Sequence, residues 1–203
     1  MSLKFTNPFG KSYFYFTNYS FSYRVIKVVG MTVKRIVKNA VLLSMMCIIG
    51  MFSIPLGANI KVSLQLVIVY IICLTAESFV DCIIITSLYL GLGMFLPIYA
   101  GFSANISPTF GYVIAFVVIS PIIYFINKIR IKNDFIRMSL ACAIGLIVCY
   151  AIGSLFLGLY LQLDFLTTLT ISVVPYIPFD IAKIVIAVLI TYNLEKGNIM
   201  HKE

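Results

Sequence analysis

Apolar residues along this chain run in long unbroken blocks, and the charged positions fall between the blocks. Lys38 and Lys61 are separated by 22 uncharged residues. A helix needs about 20 residues to cross a hydrocarbon core of about 30 Å, so this block predicts a first membrane span at 39–56. The next block, 62–76, has only 15 residues before Glu77 and predicts a short, tilted or partly re-entrant helix. No charge occurs from Cys82 to Asn127. That stretch predicts two spans, 80–96 and 110–127, joined by a Pro-, Gly-, Ser- and Asn-containing loop at 97–109. The loop is unusually apolar, which predicts that it folds over the bundle. A basic connector with Lys128, Arg130, Lys132 and Arg137 follows, then a fifth span at 138–162, a loop at 163–176 and a sixth span at 177–194.

Composition agrees with this pattern. At 62% hydrophobic and 11% charged residues the chain is an all-α integral membrane protein, a bundle of six transmembrane helices. Three parts are expected: an aromatic and basic N-terminal segment 1–38, a six-helix membrane domain 39–195 and a tail 196–203. Within the first, Arg24, Lys27, Lys34, Arg35 and Lys38 fall largely on one helical face. This reads as a basic amphipathic lead-in on the membrane surface, or equally as a plain cytoplasmic retention signal. No small-x-small site follows the first apolar run, which argues against a cleaved signal peptide. The net charge of +8 gathers near the termini and in the 128–137 connector. Membrane topology accounts for that distribution, and nucleic acid is set aside. The positive-inside rule places both termini and the basic connector in the cytoplasm and the loops 55–62, 97–109 and 163–176 outside, in a plasma-membrane protein. The connector Glu77–Asp81 is the one inner loop without positive charge. Cys47, Cys73, Cys82, Cys142 and Cys149 lie in apolar stretches without metal-ligand spacing and read as small packing residues. The one histidine, His201, is in the polar tail. No metal and no cofactor is expected.

The candidate chemistry lies in the last apolar block. Only eleven uncharged residues, Ile184 to Leu194, separate Lys183 from Glu195. Eleven helical residues rise roughly 16 Å, so a helix that spans there must carry Asp180 and Lys183 inside the membrane. An ionised group at that depth costs about 3 kcal/mol or more unless paired or wet, and commonly marks a ligand, ion or proton site. The i, i+3 spacing puts both on one face, where they can pair or grip one ligand together. An ordinary reading stands beside this one. Pro178 suits a first helical turn, Asp180 a helix start, and Lys183 can snorkel outward or simply pair with Asp180.

Three segments then carry a resemblance in register. Ile54-Pro55-Leu56-Gly57 through Val62-Ser63-Leu64-Gln65 is similar to a first outer loop ending in Gln. Leu92-Gly93-Met94-Phe95-Leu96-Pro97 and Pro108-Thr109-Phe110-Gly111-Tyr112 resemble Gly-Leu-x-x-Leu-Pro and Gly-Pro-Thr-Gly-Gly-Tyr signatures. Pro178-Phe179-Asp180-Ile181-Ala182-Lys183 resembles Pro-Gly-Asp-x-x-Lys. Together, over roughly 40–194, they resemble the biotin-specific substrate-binding (S) components of energy-coupling-factor transporters, the BioY family. Ser107, Phe110 and Phe179 stand where that family usually has Gly, and the loop before Pro108 is shorter.

The resemblance implies a solute-capture subunit that binds biotin from the outer face and works with a transmembrane coupling subunit and two ATPase subunits. Biotin's ureido ring offers two N–H donors and one carbonyl acceptor, and its tail ends in carboxylate. Asp180 can accept an N–H, and Lys183 can donate to the carbonyl or the tail. Asn105 and Gln65 can add amide contacts, and Tyr99, Phe102 and Tyr112 can wall the ring. Asn105 as a plain turn residue and the three aromatics as interfacial anchors remain the competing readings. Docking on the coupling subunit is implied for a small-residue pair on the first helix, here Ala40 and Ser44. Ala141, Gly145, Cys149 and Gly153, at strict i+4 spacing, read instead as packing inside the bundle. No Walker A sequence is present, so ATP hydrolysis belongs to partners. The alternatives are an S component for another vitamin, a stand-alone biotin facilitator, a membrane enzyme or an assembly subunit.

Overall fold

A computed structural model describes residues 32–55, 61–100 and 106–200. The aromatic segment 1–22, Arg24, Lys27, Phe102, Asn105 and His201 lie outside the described residues. The chain divides into a unit of residues 1–37 and a unit of residues 38–203. The described part of the first opens helix α1, where Thr32 Oγ1 accepts from the Arg35 backbone N–H at 3.4 Å.

Seven helices and one small hairpin form the described chain: α1 Val33–Met51, β1 Ser53–Pro55, β2 Lys61–Ser63, α2 Gln65–Thr75, α3 Phe79–Gly93, α4 Phe110–Asn127, α5 Asp134–Leu161, α6 Phe165–Ser172 and α7 Ile177–Met200. Helices α4, α5 and α7 are long and apolar enough to cross a membrane, α7 over Ile177–Lys196; α2 and α3 are shorter apolar helices.

Three expectations need correction. The stretch 39–56 is not one helix: α1 starts at Val33, stops at Met51, and residues 53–55 form a strand. Lysines and arginines are good helix formers, so Lys34 and Arg35 do not hold back the start. Pro55 disfavours helix in the residue before it, which suits a strand ending at Pro55. β1 pairs antiparallel with β2, Ser53 opposite Ser63 and Pro55 opposite Lys61. The loop 163–176 is not all loop either, because it contains α6. Asp164 caps that helix, its carboxylate accepting from the Thr167 backbone N–H at 3.1 Å. Hydrogen bonding to Thr167, first from its side chain and then from its backbone N–H, holds the Asp164 carboxyl below its ordinary pKa. The last helix also runs past the expected end at Leu194, to Met200.

Helix α2 is buried from Gln65 through Leu74. A helix apolar on every face belongs in the interior of a bundle, and α2 packs against α3, α4 and α7. Its brevity needs no lipid span when neighbouring helices surround it. The most extensive helix–helix seam is that of α4 with α5. Here the stripe 141/145/149/153 is buried, and a Cβ at Gly145 would run into Ile123 and one at Gly153 into the Tyr112 ring. The stripe is thus internal packing. Away from these seams, Ile147, Leu155 and Leu159 on α5 are 68%, 62% and 74% exposed, an apolar face suited to lipid rather than water.

At one end of the bundle, α1 closes the α2–α3 connector. Lys38 Nζ donates to the Thr75 carbonyl at 2.7 Å and lies 3.9 Å from Glu77 Oε1, while Asn39 Nδ2 donates to Asp81 Oδ1 at 2.8 Å. The connector without a positive residue of its own therefore receives one from α1. Asn127 at the end of α4 donates to the Leu74 carbonyl at 3.4 Å and accepts from Arg137 Nε at 3.2 Å.

Candidate functional site

Helix α7 begins at Ile177, with Pro178 in its first turn, where a missing N–H breaks no helical bond. Asp180 closes that turn, its N–H reaching the Tyr176 carbonyl at 2.9 Å. One turn on, Lys183 Nζ donates to Asp180 Oδ1 at 2.6 Å. Both are buried, Asp180 at 5% and Lys183 at 7% exposure. Neither snorkels to the surface, so the pair is an internal one. Desolvation of such a pair offsets much of its attraction, which makes it weak evidence for stability.

The pair faces a cavity of about 510 Å³ at the end of the bundle that carries the hairpin. That size lies within the common range for small-molecule pockets. Gln65, Tyr99, Tyr112, Asp180 and Lys183 all line it, although they come from four separate segments. Ser53 and Ser63 of the hairpin, Ser107 and Thr109 before α4, and Ser172 of α6 add hydroxyls. Val113, Phe116, Leu146 and Leu157 supply apolar wall. Tyr99 is held by its own hydroxyl, which donates to the Leu90 carbonyl at 2.6 Å. Its ring lies against Gly93, where a Cβ would overlap it. Burial pushes the Tyr99 phenol up to about 12. Ile98 and Tyr99 are buried, so at these two residues the 97–109 segment does fold onto the bundle.

Two residues of this region escape sequence reasoning. Tyr150 on α5 lines the cavity, and its hydroxyl donates to Asp180 Oδ2. Its signal was available: a tyrosine buried in mid-span usually finds a partner for its hydroxyl, although the buried Tyr70 hydroxyl on α2 has none among the described residues. Tyr89 on α3 is fully buried and contacts the Gln65 amide at 2.6 Å. Ala40 and Ser44 sit elsewhere, on an exposed face of α1, with Ser44 Oγ donating to the Ala40 carbonyl at 2.8 Å. Among the described residues no group of His, Cys, Asp and Glu is placed to hold a metal.

These features define a helical membrane protein with a solute-sized cavity built around a buried carboxylate–ammonium pair. The chain belongs to the BioY family, which it matches over residues 22–198. It is 27% identical over 169 residues to the biotin transporter BioY of Thermotoga maritima, covering 80% of this chain and 96% of that protein. In fold it is similar to the crystal structure of the S-component for biotin from an ECF-type ABC transporter, with a TM-score of 0.73, 24% identity, and coverage of 82% of this chain and 95% of that one.

Proposed function

We propose that this protein is the biotin-capturing S component of an energy-coupling-factor importer, not an enzyme. The observation that carries the reading is the meeting of Gln65, Tyr99, Tyr112, Asp180 and Lys183 on one cavity. A bound molecule gives five residues from such distant positions a common purpose. Asp180 takes a ureido N–H, Lys183 donates to the ureido carbonyl, and the aromatic rings flank the bicycle. Phe102 and Asn105 join them in this reading, on the strength of their place in the sequence between the lining residues Ala100 and Ser107.

In the proposed topology α1 to α5 and α7 are the six crossings, α6 lies at the outer surface, and both termini are cytoplasmic in the plasma membrane. The basic connector between α4 and α5, with Lys128, Arg130 and Lys132 exposed, supports that orientation. Docking on the coupling subunit uses the exposed α1 face at Ala40 and Ser44. Two ATPase subunits supply energy.

Isothermal titration of the purified protein in detergent tests the ligand. Saturable one-to-one binding of biotin is expected, and a flat titration with a properly folded sample would refute it. Biotin-dependent growth of an uptake-deficient strain, with and without the coupling subunits, separates the S component from a stand-alone facilitator.

A further inference from the structure

Tyr89 is fully buried on α3, and its hydroxyl sits between two groups. It lies 2.9 Å from the Ile98 backbone carbonyl and 2.6 Å from the side-chain amide of Gln65. A carbonyl can only accept, so the single hydroxyl hydrogen of Tyr89 is committed to Ile98. Toward Gln65 the Tyr89 oxygen is then left with lone pairs alone. Gln65 must meet it with an N–H, because its own oxygen there would set two acceptors face to face. The amide cannot turn freely. Its Oε1 makes no hydrogen bond among the described residues, and Gln65 lines the cavity.

We propose that Tyr89, which does not itself line the cavity, fixes the hydrogen-bonding sense of Gln65, so that the site selects a ligand edge reading donor, acceptor, donor. Gln65 Oε1 and the Asp180 carboxylate are the two acceptors, and Lys183 Nζ, with hydrogens left after its bond to Asp180, is the donor. A cyclic urea presents two N–H groups flanking one carbonyl and meets all three. The inference rests on the biotin reading and adds how that ring is told from its close isosteres. Tyr89 is a positioning residue, acting through Gln65. Two neighbours hold it in place. Tyr99 packs edge-on against its ring at 5.7 Å, and the α1 backbone at Gly50 comes so near that a Cβ there would lie 2.7 Å from Tyr89 Oη.

The test uses biotin and its two cyclic-carbamate isosteres, in each of which one ring N–H is replaced by oxygen with little change of shape. The wild-type protein should bind biotin and reject the isomer that faces Gln65 with an acceptor, by about a hundredfold or more, since it leaves a buried acceptor opposed. Tyr89→Phe removes the constraint, and the Gln65 amide can rotate to offer an N–H. Rejection of that isomer should fall below about tenfold, while rejection of the other, which faces Asp180, persists. A merely structural role for Tyr89 lowers affinity for all three compounds alike and overturns the proposal. Should Tyr89→Phe not fold, Gln65→Met must abolish the same discrimination; its survival there overturns the proposal as well. If the wild-type protein binds no biotin, the biotin reading and this inference fall together. If biotin binds and the variants discriminate as wild type does, the inference alone falls.

Discussion

Tyr150 and Asp180 meet across the α5–α7 seam: the tyrosine hydroxyl donates to Oδ2 of a carboxylate whose Oδ1 is already held by Lys183. The acid is thus gripped by one donor from its own helix and one from a neighbour, each on a different oxygen. This fixes the carboxylate plane before any ligand arrives, so less ordering is left to offset binding. Tyr150→Phe removes one hydrogen bond to a charged group, worth about 1.5–3 kcal/mol, and biotin affinity should drop roughly tenfold to a hundredfold. Calorimetry on the folded monomeric variant checks this; unchanged affinity would make Tyr150 a bystander.

The ion pair itself should matter more. Asp180→Asn and Lys183→Met each leave a buried partner uncompensated, and each should cost about 2–5 kcal/mol of binding, roughly 30-fold or more in affinity. A purely structural pair predicts poor expression with affinity intact in whatever folds. The deciding comparison is affinity in variants that elute as folded monomers. Near wild-type values in both would leave the pair without a ligand role.

Gly153→Ala should disturb the cavity from outside. A methyl group there overlaps the ring of Tyr112, which lines the site, and overpacking of this kind costs about 1–3 kcal/mol. A lowered unfolding temperature and weaker biotin binding are expected together. Gly91→Ala on α3 is the control, since a Cβ there meets nothing within 4 Å. Equal behaviour of the two variants would show that Tyr112 has room to move.

Docking and capture should separate. Ala40→Leu or Ser44→Leu thickens an exposed face of α1, a helix that contributes no residue to the cavity lining. Copurification with the coupling subunit and biotin uptake should fall, while biotin binding by the isolated protein persists. If both variants copurify and transport normally, the contact face lies elsewhere.

Orientation is open to direct labelling. In a variant freed of its native cysteines, Lys132→Cys should react only from the cytoplasmic side and Ile106→Cys only from outside. Reaction of both from the outer face would end the six-crossing topology.

Much of this architecture was readable along the chain because its cause is local. A backbone surrounded by lipid must satisfy its own hydrogen bonds, so each long charge-free block announces a helix. The α4 boundaries 110–127 follow from that rule together with the turn-forming residues of the loop before it and the charge at Lys128 after it. So does the pairing of Asp180 with Lys183, since one turn of helix brings residues three apart together. The end of α1 and the existence of α6 were hidden. Each depends on a proline, a cap or a pairing strand whose effect the apolar pattern masks. Other features could be decided only in three dimensions. That Lys38 serves the α2–α3 connector, that Tyr150 meets Asp180, and that Tyr89 orients Gln65 all depend on how far each helix is rotated about its axis. That rotation is set by side-chain packing between helices. Where Gly153 lets Tyr112 in and Gly50 lets α1 approach Tyr89, a few small residues decide which polar groups face each other, and no pattern within a single helix records the outcome.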